Sequence, residues 1–180
     1  MSNILIAYFS RKGQNYVDGQ IKDLAKGNTE RVAESIQQAV GGDLFKIETV
    51  RDYSADYTQC TEEAKRELQA KARPELKKSL DSLEGYDMIF LGYPNWWGTM
   101  PMAVYTFLES CDFTGKSIIP FCTHEGSGMG RSEREIRKLC PEAKVLGGTA
   151  IHGAEAGESA GAVSAWAQGK VEEMGEGKIK

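Results

Sequence analysis

The sequence predicts an α/β protein in which helices cover both faces of a parallel β-sheet. Short apolar runs alternate along the chain with longer segments of helical period, the pattern of such a sheet. The apolar runs predict five strands, over residues 4–9, 44–49, 88–92, 117–123 and 144–151. The chain has 180 residues, 41% of them hydrophobic, which suits one core and is short for two. We therefore expect one domain over residues 1–174 and a flexible tail over residues 175–180.

Apolar residues between the strands recur every three to five positions and predict five helices. The five stripes are, in chain order, Val32-Ile36-Val40, Cys60-Ala64-Leu68, Val104-Leu108-Cys111, Ile136-Leu139 and Val163-Trp166-Val171. Pro74 limits the second helix, and Pro101 suits the first turn of the third. Ser132 and Glu135 match a capping box at the start of the fourth.

Charge and cysteine content exclude several classes of protein. The 22 Lys and Arg against 26 Asp and Glu give a formal charge of -4, so we expect no nucleic-acid or anionic-membrane surface. No apolar run approaches the ~20 residues that span a bilayer, and the N-terminus has no basic leader, so we expect a cytoplasmic protein. The four cysteines are widely spaced and the chain has only two histidines. We therefore expect reduced thiols and no metal site.

The loop after the first strand carries the groups of a phosphate site. Ser10 begins it, and Asn28 and Thr29 end it where the first helix starts. Hydroxyl groups, an amide and the free N–H groups of a helix N-terminus can surround a phosphate dianion without a basic side chain. The alternative is that Asn28 or Thr29 only caps the helix. Neither a G-x-G-x-x-G nor a G-x-x-x-x-G-K-[ST] motif fits here, which argues against a dinucleotide or a nucleoside triphosphate at this loop.

The loop after the third strand places the aromatic rings of Tyr93, Trp96 and Trp97 at the mouth of the sheet. Adjacent tryptophans bounded by proline and glycine can present an indole face and backbone amides to a flat heteroaromatic ring. The alternative is that one or both cover the end of the sheet as core. Successive side chains of an extended loop face opposite sides, so we expect one tryptophan at the ligand and one in the core. We expect Trp96 at the ligand and Trp97 beneath the third helix.

The loop after the fourth strand contains three glycines in five residues, at positions 126, 128 and 130. Such a loop lets the backbone approach a ligand and hydrogen-bond the edge of a ring, but glycines serve tight turns equally well. His124 begins the loop and is the one side chain that we single out as a candidate acid or base, against the alternative of a surface histidine.

Taken together, these segments resemble the flavodoxin-like superfamily. The resemblance is to the group with a Tyr-Phe-Ser opening, a delayed Gly-Asn-Thr and a Pro-x-Trp-Trp-Gly loop, and it covers nearly the whole chain. Further matching residues lie between positions 53 and 76, namely Tyr57, Cys60, Ala64, Glu67, Ala72, Arg73 and Pro74. The resemblance implies a three-layer α/β/α sandwich with a five-stranded parallel sheet of order 2-1-3-4-5.

The resemblance also implies a binding site for flavin mononucleotide (FMN). The implied phosphate ligands are Ser10, Asn28 and Thr29, with Asn15 as a further candidate. The implied ring contacts are Pro94, Asn95, Trp96, Trp97 and Gly98 on one side, and Glu125, Gly126, Ser127 and Gly128 at the other edge.

The phosphate loop departs from the compact pattern of the superfamily. Seventeen residues separate Ser10 from Asn28, and they include Arg11, Lys12 and Lys26. A cation near the flavin would make the site less electronegative and favour the reduced flavin.

Two functions fit the resemblance. The first is an FMN-dependent oxidoreductase that takes electrons from NAD(P)H and passes them to a quinone or similar acceptor. The second is a flavodoxin-type carrier that moves single electrons between partner proteins, for which a dense acidic run around the flavin loops would be the signal. No such run is present, so the first function is favoured.

Overall fold

The computed structural model describes residues 3–177 as one α/β unit. The strands, in chain order, are β1 (Ile4–Tyr8), β2 (Gly13–Val17), β3 (Gln20–Leu24), β4 (Asp43–Lys46), β5 (Met88–Pro94), β6 (Ser117–His124), β7 (Lys144–Val145) and β8 (Thr149–His152). Six of them form a parallel sheet of order β4-β1-β5-β6-β7, with β8 also on β6. The other two, β2 and β3, form a separate antiparallel hairpin.

All five predicted helices are present and cover both faces of the sheet. They are α1 (Asn28–Val40), α2 (Tyr57–Ala70), α3 (Met102–Ser110), α4 (Ser132–Leu139) and α5 (Ala160–Gly177). Helices α1 and α5 pack on one face, and α2, α3 and α4 lie on the other. The three layers of the predicted sandwich are therefore observed.

The strand β1 shows why the central runs are apolar throughout. Its alternate residues Ile4 and Ile6 point into the core under α1 and α5, whereas Leu5 and Ala7 point into the core under α3. Each is less than 5% exposed. A strand that is buried on both faces needs apolar side chains at every position.

The last predicted strand, over residues 144–151, is wrong as a single element, because it is divided into β7 and β8. Val145 pairs with Ile118 and Thr149 with Phe121, so three residues of this strand oppose two of β6. One of those two is Pro120, which has no N–H group to donate to the ladder. Gly148 lies so close to the Pro120 carbonyl that a Cβ there would clash with it. The extra residue makes a bulge that re-aims β8 towards the end of β6.

The hairpin β2–β3 was not predicted, and it occupies most of the long loop between Ser10 and Asn28. Its turn residues Asp18 and Gly19 have φ angles of 53° and 77°. Two successive positive φ angles mark a type I′ turn, for which Asp-Gly is a favoured pair. The Asp18-Gly19 dipeptide therefore indicates this hairpin from the sequence.

Two details of the helix ends differ from expectation. The capping box of α4 is wrong: its N-cap is Arg131, with no side-chain cap, and the Ser132 hydroxyl instead donates to the Met129 carbonyl and accepts from Tyr93. Helix α5 continues to Gly177, three residues into the segment expected as a tail. Residues 178–180, the remainder of that segment, lie outside the described residues.

All four cysteines carry free thiols, as expected, and three of them are buried. Within residues 3–177 no group of His, Cys, Asp or Glu side chains is placed to hold a metal ion. None of the helices in this range is long and apolar enough to cross a membrane.

Candidate functional site

Three loops, following β1, β5 and β6, enclose two adjoining cavities at the carboxyl end of the sheet. The polar cavity, with a volume of about 160 Å³, lies against the start of α1 and the end of β6. The aromatic cavity, of about 280 Å³, lies between α2 and the tryptophan loop. Five residues, Arg11, Asn15, Tyr57, Asn95 and Trp96, line both. The two cavities therefore form one continuous site.

The start of α1 leaves two backbone N–H groups available at the polar cavity. The Ser10 hydroxyl accepts a hydrogen bond of 3.1 Å from the N–H of Glu30, and the N–H of Arg31 bonds the Gly27 carbonyl. No described hydrogen bond uses the N–H of Asn28 or Thr29. Ser10 thus caps the helix from across the hairpin, and the two free amides can receive an anion.

Gly27 is the residue that allows this capping. A Cβ at that position would clash with the Ser10 hydroxyl and the Arg11 carbonyl. The N-cap residue is Gly27, which has no side chain to cap the helix, so the Ser10 hydroxyl serves instead. The alternative in which Asn28 or Thr29 caps the helix is therefore wrong.

The hydroxyl groups of Thr29 and Thr123 are 2.8 Å apart at the floor of the polar cavity. Both residues are buried, at 2% and 5% exposure. The contact uses one of the two hydroxyl protons, and no other described hydrogen bond engages either side chain. One proton of the pair is therefore left to donate to a ligand. Thr123 was not among the predicted site residues, because it reads only as the end of an apolar strand.

Asn15 and Arg11 fix the base of the hairpin. The Asn15 side-chain amide donates to the carbonyls of Arg11 and Gly13, at 2.9 and 3.1 Å. The Arg11 guanidinium donates to the carbonyls of Gln14 and Ala55, both at 3.1 Å. Arg11 thereby joins the hairpin to the segment before α2, and it places a positive charge at the junction of the two cavities.

The tryptophan loop forms a tight turn, so the expectation of an extended loop is wrong. Trp96 and Thr99 exchange two backbone hydrogen bonds, of 2.8 and 3.3 Å. Between them Trp97 and Gly98 have φ angles of 56° and 83°, as in a type I′ turn. A positive φ is unusual for a bulky residue and is found where surrounding contacts hold it, often at functional sites.

Asn95 ties this turn to the glycine loop. Its side-chain oxygen accepts from the N–H of Gly98 at 2.9 Å, and its side-chain nitrogen donates to the Gly128 carbonyl at 2.8 Å. The Arg131 N–H also donates to the Gly98 carbonyl, at 2.9 Å. A Cβ at Gly130 would clash with that carbonyl. The two loops therefore behave as one unit.

The two tryptophans have different surroundings, and the exposed Trp97 is not part of the core beneath α3. Trp96 meets the rings of Phe9 and Tyr53 edge to face, at centroid distances of 5.1 and 5.2 Å. Trp97 is 46% exposed, and its indole N–H donates to the Thr61 carbonyl at 2.9 Å. The expected position of Trp97 is therefore wrong. Both indoles line the aromatic cavity, and Trp96 also lines the polar one.

Glu125 turns its side chain into the polar cavity. One carboxylate oxygen accepts from the Asp18 N–H at the hairpin tip, at 3.0 Å, and lies 3.6 Å from His152. The other oxygen is buried and has no hydrogen-bond partner among residues 3–177. Buried acceptors are normally satisfied, so this oxygen marks a place where a ligand can donate a hydrogen bond.

His124 faces His152, with ring centroids 5.6 Å apart. Burial, together with the nearby His152, lowers the pKa of His124. Its Nδ1 accepts from the Gly126 N–H at 2.9 Å. This bond shapes the glycine loop and occupies one of the two ring nitrogens.

Nine of the thirteen predicted site residues line the two cavities. They are Asn15, Asn28, Thr29, Pro94, Asn95, Trp96, Trp97, Glu125 and Ser127. The other four, Ser10, Gly98, Gly126 and Gly128, lie beside the cavities and shape the loops. Of the residues that line the site, Tyr16, Thr61, Thr123 and Gly153 were missed. Tyr16 lies on the unpredicted hairpin and stacks near Tyr57 at 6.2 Å, and Gly153 directly follows β8, the strand that the bulge re-aims.

Comparison with known proteins identifies the family. The family model for flavodoxin matches residues 3–169, and the chain belongs to that family. Flavodoxin 1 of Salmonella typhimurium is 26% identical over 118 residues, which are 63% of this chain and 49% of that protein. The aligned part thus spans about half the length of this curated relative.

Two solved structures extend the comparison over most of the chain. A protein of Bacteroides uniformis assigned as a flavoprotein is 31% identical, with a TM-score of 0.73, over 93% of this chain and 98% of that one. A flavoprotein of Lactobacillus acidophilus, solved in complex with FMN, is 19% identical, with a TM-score of 0.61, over 83% of this chain and 93% of that one. The second likeness concerns the fold alone.

Proposed function

We propose that the joined cavities bind FMN, and that the protein is an FMN-dependent oxidoreductase. In this proposal NAD(P)H delivers electrons to the flavin, and a quinone or similar acceptor removes them. The flavin supplies the redox chemistry, and the chain binds and orients it. Membership in the flavodoxin family supports FMN as the cofactor.

The unused hydrogen-bonding groups of the polar cavity carry the FMN proposal. The N–H groups of Asn28 and Thr29 and the spare proton of the Thr29–Thr123 pair are donors, which a phosphate group accepts. The free oxygen of Glu125 is an acceptor, which a ribityl hydroxyl satisfies. Donors lie beside α1 and the acceptor lies on the glycine loop, so the polar cavity suits a phosphorylated polyol chain.

The aromatic cavity suits the flavin ring. Trp96 lines both cavities and so places an indole beside the point where they join. Tyr57 lines both as well, and burial raises the pKa of its phenol, with the Arg11 charge opposing the shift. Tyr57 therefore stays a neutral hydrogen-bond donor at physiological pH. These side chains exclude water from one side of the ring and orient it.

The charges at the aromatic cavity favour an enzyme over an electron carrier. Arg11 lines the cavity, and the Lys65 ammonium lies 5.2 Å from the centroid of the Trp97 ring. Two cations at this rim attract anionic co-substrates, whereas a carrier that docks on a basic partner needs an acidic rim. A cation beside the ring also stabilises a reduced, anionic flavin.

The second candidate function is a flavodoxin-type single-electron carrier. Its support is the similarity to Flavodoxin 1, together with the net charge of -4. In this case the exposed Trp97 would face a partner protein rather than a small molecule.

Anaerobic stepwise reduction of the FMN-loaded protein tests the two functions against each other. We expect direct two-electron reduction, and catalytic oxidation of NADH or NADPH in the presence of a soluble quinone. Accumulation of a half-reduced flavin, with no NAD(P)H oxidation, would instead support the carrier. A protein that retains no FMN after reconstitution would refute both.

A further inference from the structure

A third cavity, larger than the other two, lies beside the flavin site at the carboxyl ends of β1 and β4. Its volume is about 910 Å³, and the hairpin and the segment between β4 and α2 form its sides. Arg11 and Trp96 line it as well as the polar and aromatic cavities. The side chains of Arg11 and Trp96 therefore lie between this cavity and the proposed flavin site. We call it the cation cavity, for its three lysines Lys12, Lys46 and Lys77.

The lysines are loosely paired. Lys77 lies 3.7 Å from Asp52, a side chain that is 88% exposed. Lys46 lies 3.3 Å from Glu48 and 3.8 Å from Glu30. Lys12 takes part in no ion pair within the described residues. Exposed pairs at such distances are weak and exchange readily for a ligand anion. The cavity thus offers three ammonium groups, together with Arg11, to a negatively charged molecule.

The remaining walls suit a nucleotide better than a simple anion. Phe9, Tyr53 and Trp96 form an edge-to-face aromatic wall, against which a flat base can pack. The carboxylates of Asp23, Glu48 and Asp52 also line the cavity. They would repel a bare polyanion, but they accept hydrogen bonds from ribose hydroxyls.

We propose that the cation cavity binds the adenosine diphosphate part of a dinucleotide. The lysines hold its phosphates, the aromatic wall receives its base, and the carboxylates bind its ribose. This inference rests on the proposed function in one respect: the dinucleotide would be the NAD(P)H that reduces the flavin. The shared residues Arg11 and Trp96 place the cavity where the other half of a dinucleotide meets the flavin site.

The test measures binding of ADP-ribose to the FMN-loaded protein by calorimetry. ADP-ribose lacks the nicotinamide, so its binding does not depend on hydride transfer. The double variant Lys12→Gln/Lys77→Gln removes two of the proposed phosphate contacts, and we expect it to weaken ADP-ribose ~10-fold or more. The variant Lys138→Gln, on the exposed face of α4, is the matched control and should change nothing. FMN affinity should be the same in all three proteins.

Further outcomes separate this inference from its alternatives. Raising the salt concentration should weaken ADP-ribose in the wild type more than in the double variant. The inference is overturned if ADP-ribose does not bind, if it displaces FMN, or if the double variant binds it as well as the wild type. Preferential binding of anthraquinone-2-sulfonate over ADP-ribose would also overturn it, because that result assigns the cavity to the acceptor. Lysine-dependent ADP-ribose binding without flavin reduction by NAD(P)H would leave this site in place and refute the proposed enzyme.

Discussion

Replacing Thr29 by valine tests the floor of the polar cavity. The substitution keeps the shape of the side chain but removes the hydroxyl that lies 2.8 Å from that of Thr123. Thr123 is 5% exposed, so its largely buried hydroxyl would lose its one described hydrogen-bond partner. A buried hydroxyl left unsatisfied costs ~1 to 3 kcal/mol. For a domain of this size that corresponds to a fall in melting temperature of ~2 to 12 °C.

The same substitution should distinguish FMN from riboflavin. The pair of threonines has one proton to spare for a ligand, and the Thr29 N–H stands beside it at the start of α1. Since riboflavin lacks the phosphate, Thr29→Val should weaken FMN by ~5- to 150-fold more than it weakens riboflavin, the factor that ~1 to 3 kcal/mol gives.

The measurements are thermal unfolding of the FMN-free protein and flavin fluorescence titrations. The double variant Thr29→Val/Thr123→Val removes both partners, so it should be more stable than the sum of the single effects predicts. Thr106→Val on α3 is the control, because its hydroxyl only bonds the Met102 carbonyl of its own helix, at 3.4 Å. Strict additivity of the two single variants would refute the hydrogen bond. Equal weakening of FMN and riboflavin would leave Thr29 with a structural role alone.

Three further predictions concern other walls of the site. Trp96→Ala should destabilise the fold by ~2 to 4 kcal/mol because it opens the aromatic cluster. Trp97→Ala should cost under ~1 kcal/mol and alter the flavin spectrum. Equal melting temperatures of the two variants would contradict this. Glu125→Gln should weaken riboflavin ~5- to 30-fold in titrations, by removing a charged acceptor for a ribityl hydroxyl; unchanged affinity would exclude that contact. Burial raises the pKa of the Cys60 thiol to about 11. At pH 8 iodoacetamide should therefore label the partly exposed Cys111 first and Cys60 only after unfolding. Peptide mass spectrometry measures this, and early labelling of Cys60 would contradict its burial.

The sequence predicted the layers and the loops of the site because both follow from local sequence patterns. Apolar runs and helical stripes reflect burial, and every central strand of this fold is buried. The glycines and tryptophans that punctuate the strand ends mark loops that leave the sheet at its carboxyl edge. Nine of the thirteen predicted residues line the cavities for this reason.

The misplaced features depend on partners that are distant in sequence. Trp97 takes a positive φ because the Asn95 side chain holds the turn by accepting a hydrogen bond from the Gly98 N–H. The same side chain is fixed by its bond to the Gly128 carbonyl of the glycine loop. The predicted last strand is divided because Pro120, on its neighbour, cannot donate to it. No pattern within either segment carries that information.

The hairpin explains how a long insertion leaves the proposed phosphate site in place. Its paired strands bring Gly13 opposite Leu24, so the insertion leaves and returns at nearly the same point, and Ser10 still reaches the first turn of α1. A two-stranded hairpin is at best marginally stable alone. This one is held by the buried Val17 and by the Asp18 bond to Glu125. Because Glu125 lines the polar cavity, a ligand that contacts Glu125 also acts on the carboxylate that holds the hairpin. The hairpin residues Gly13, Gln14 and Asp23 line the cation cavity as well. The inserted segment thus connects the proposed flavin site to the proposed nucleotide site, which is a role that a compact loop of a few residues is too short to perform.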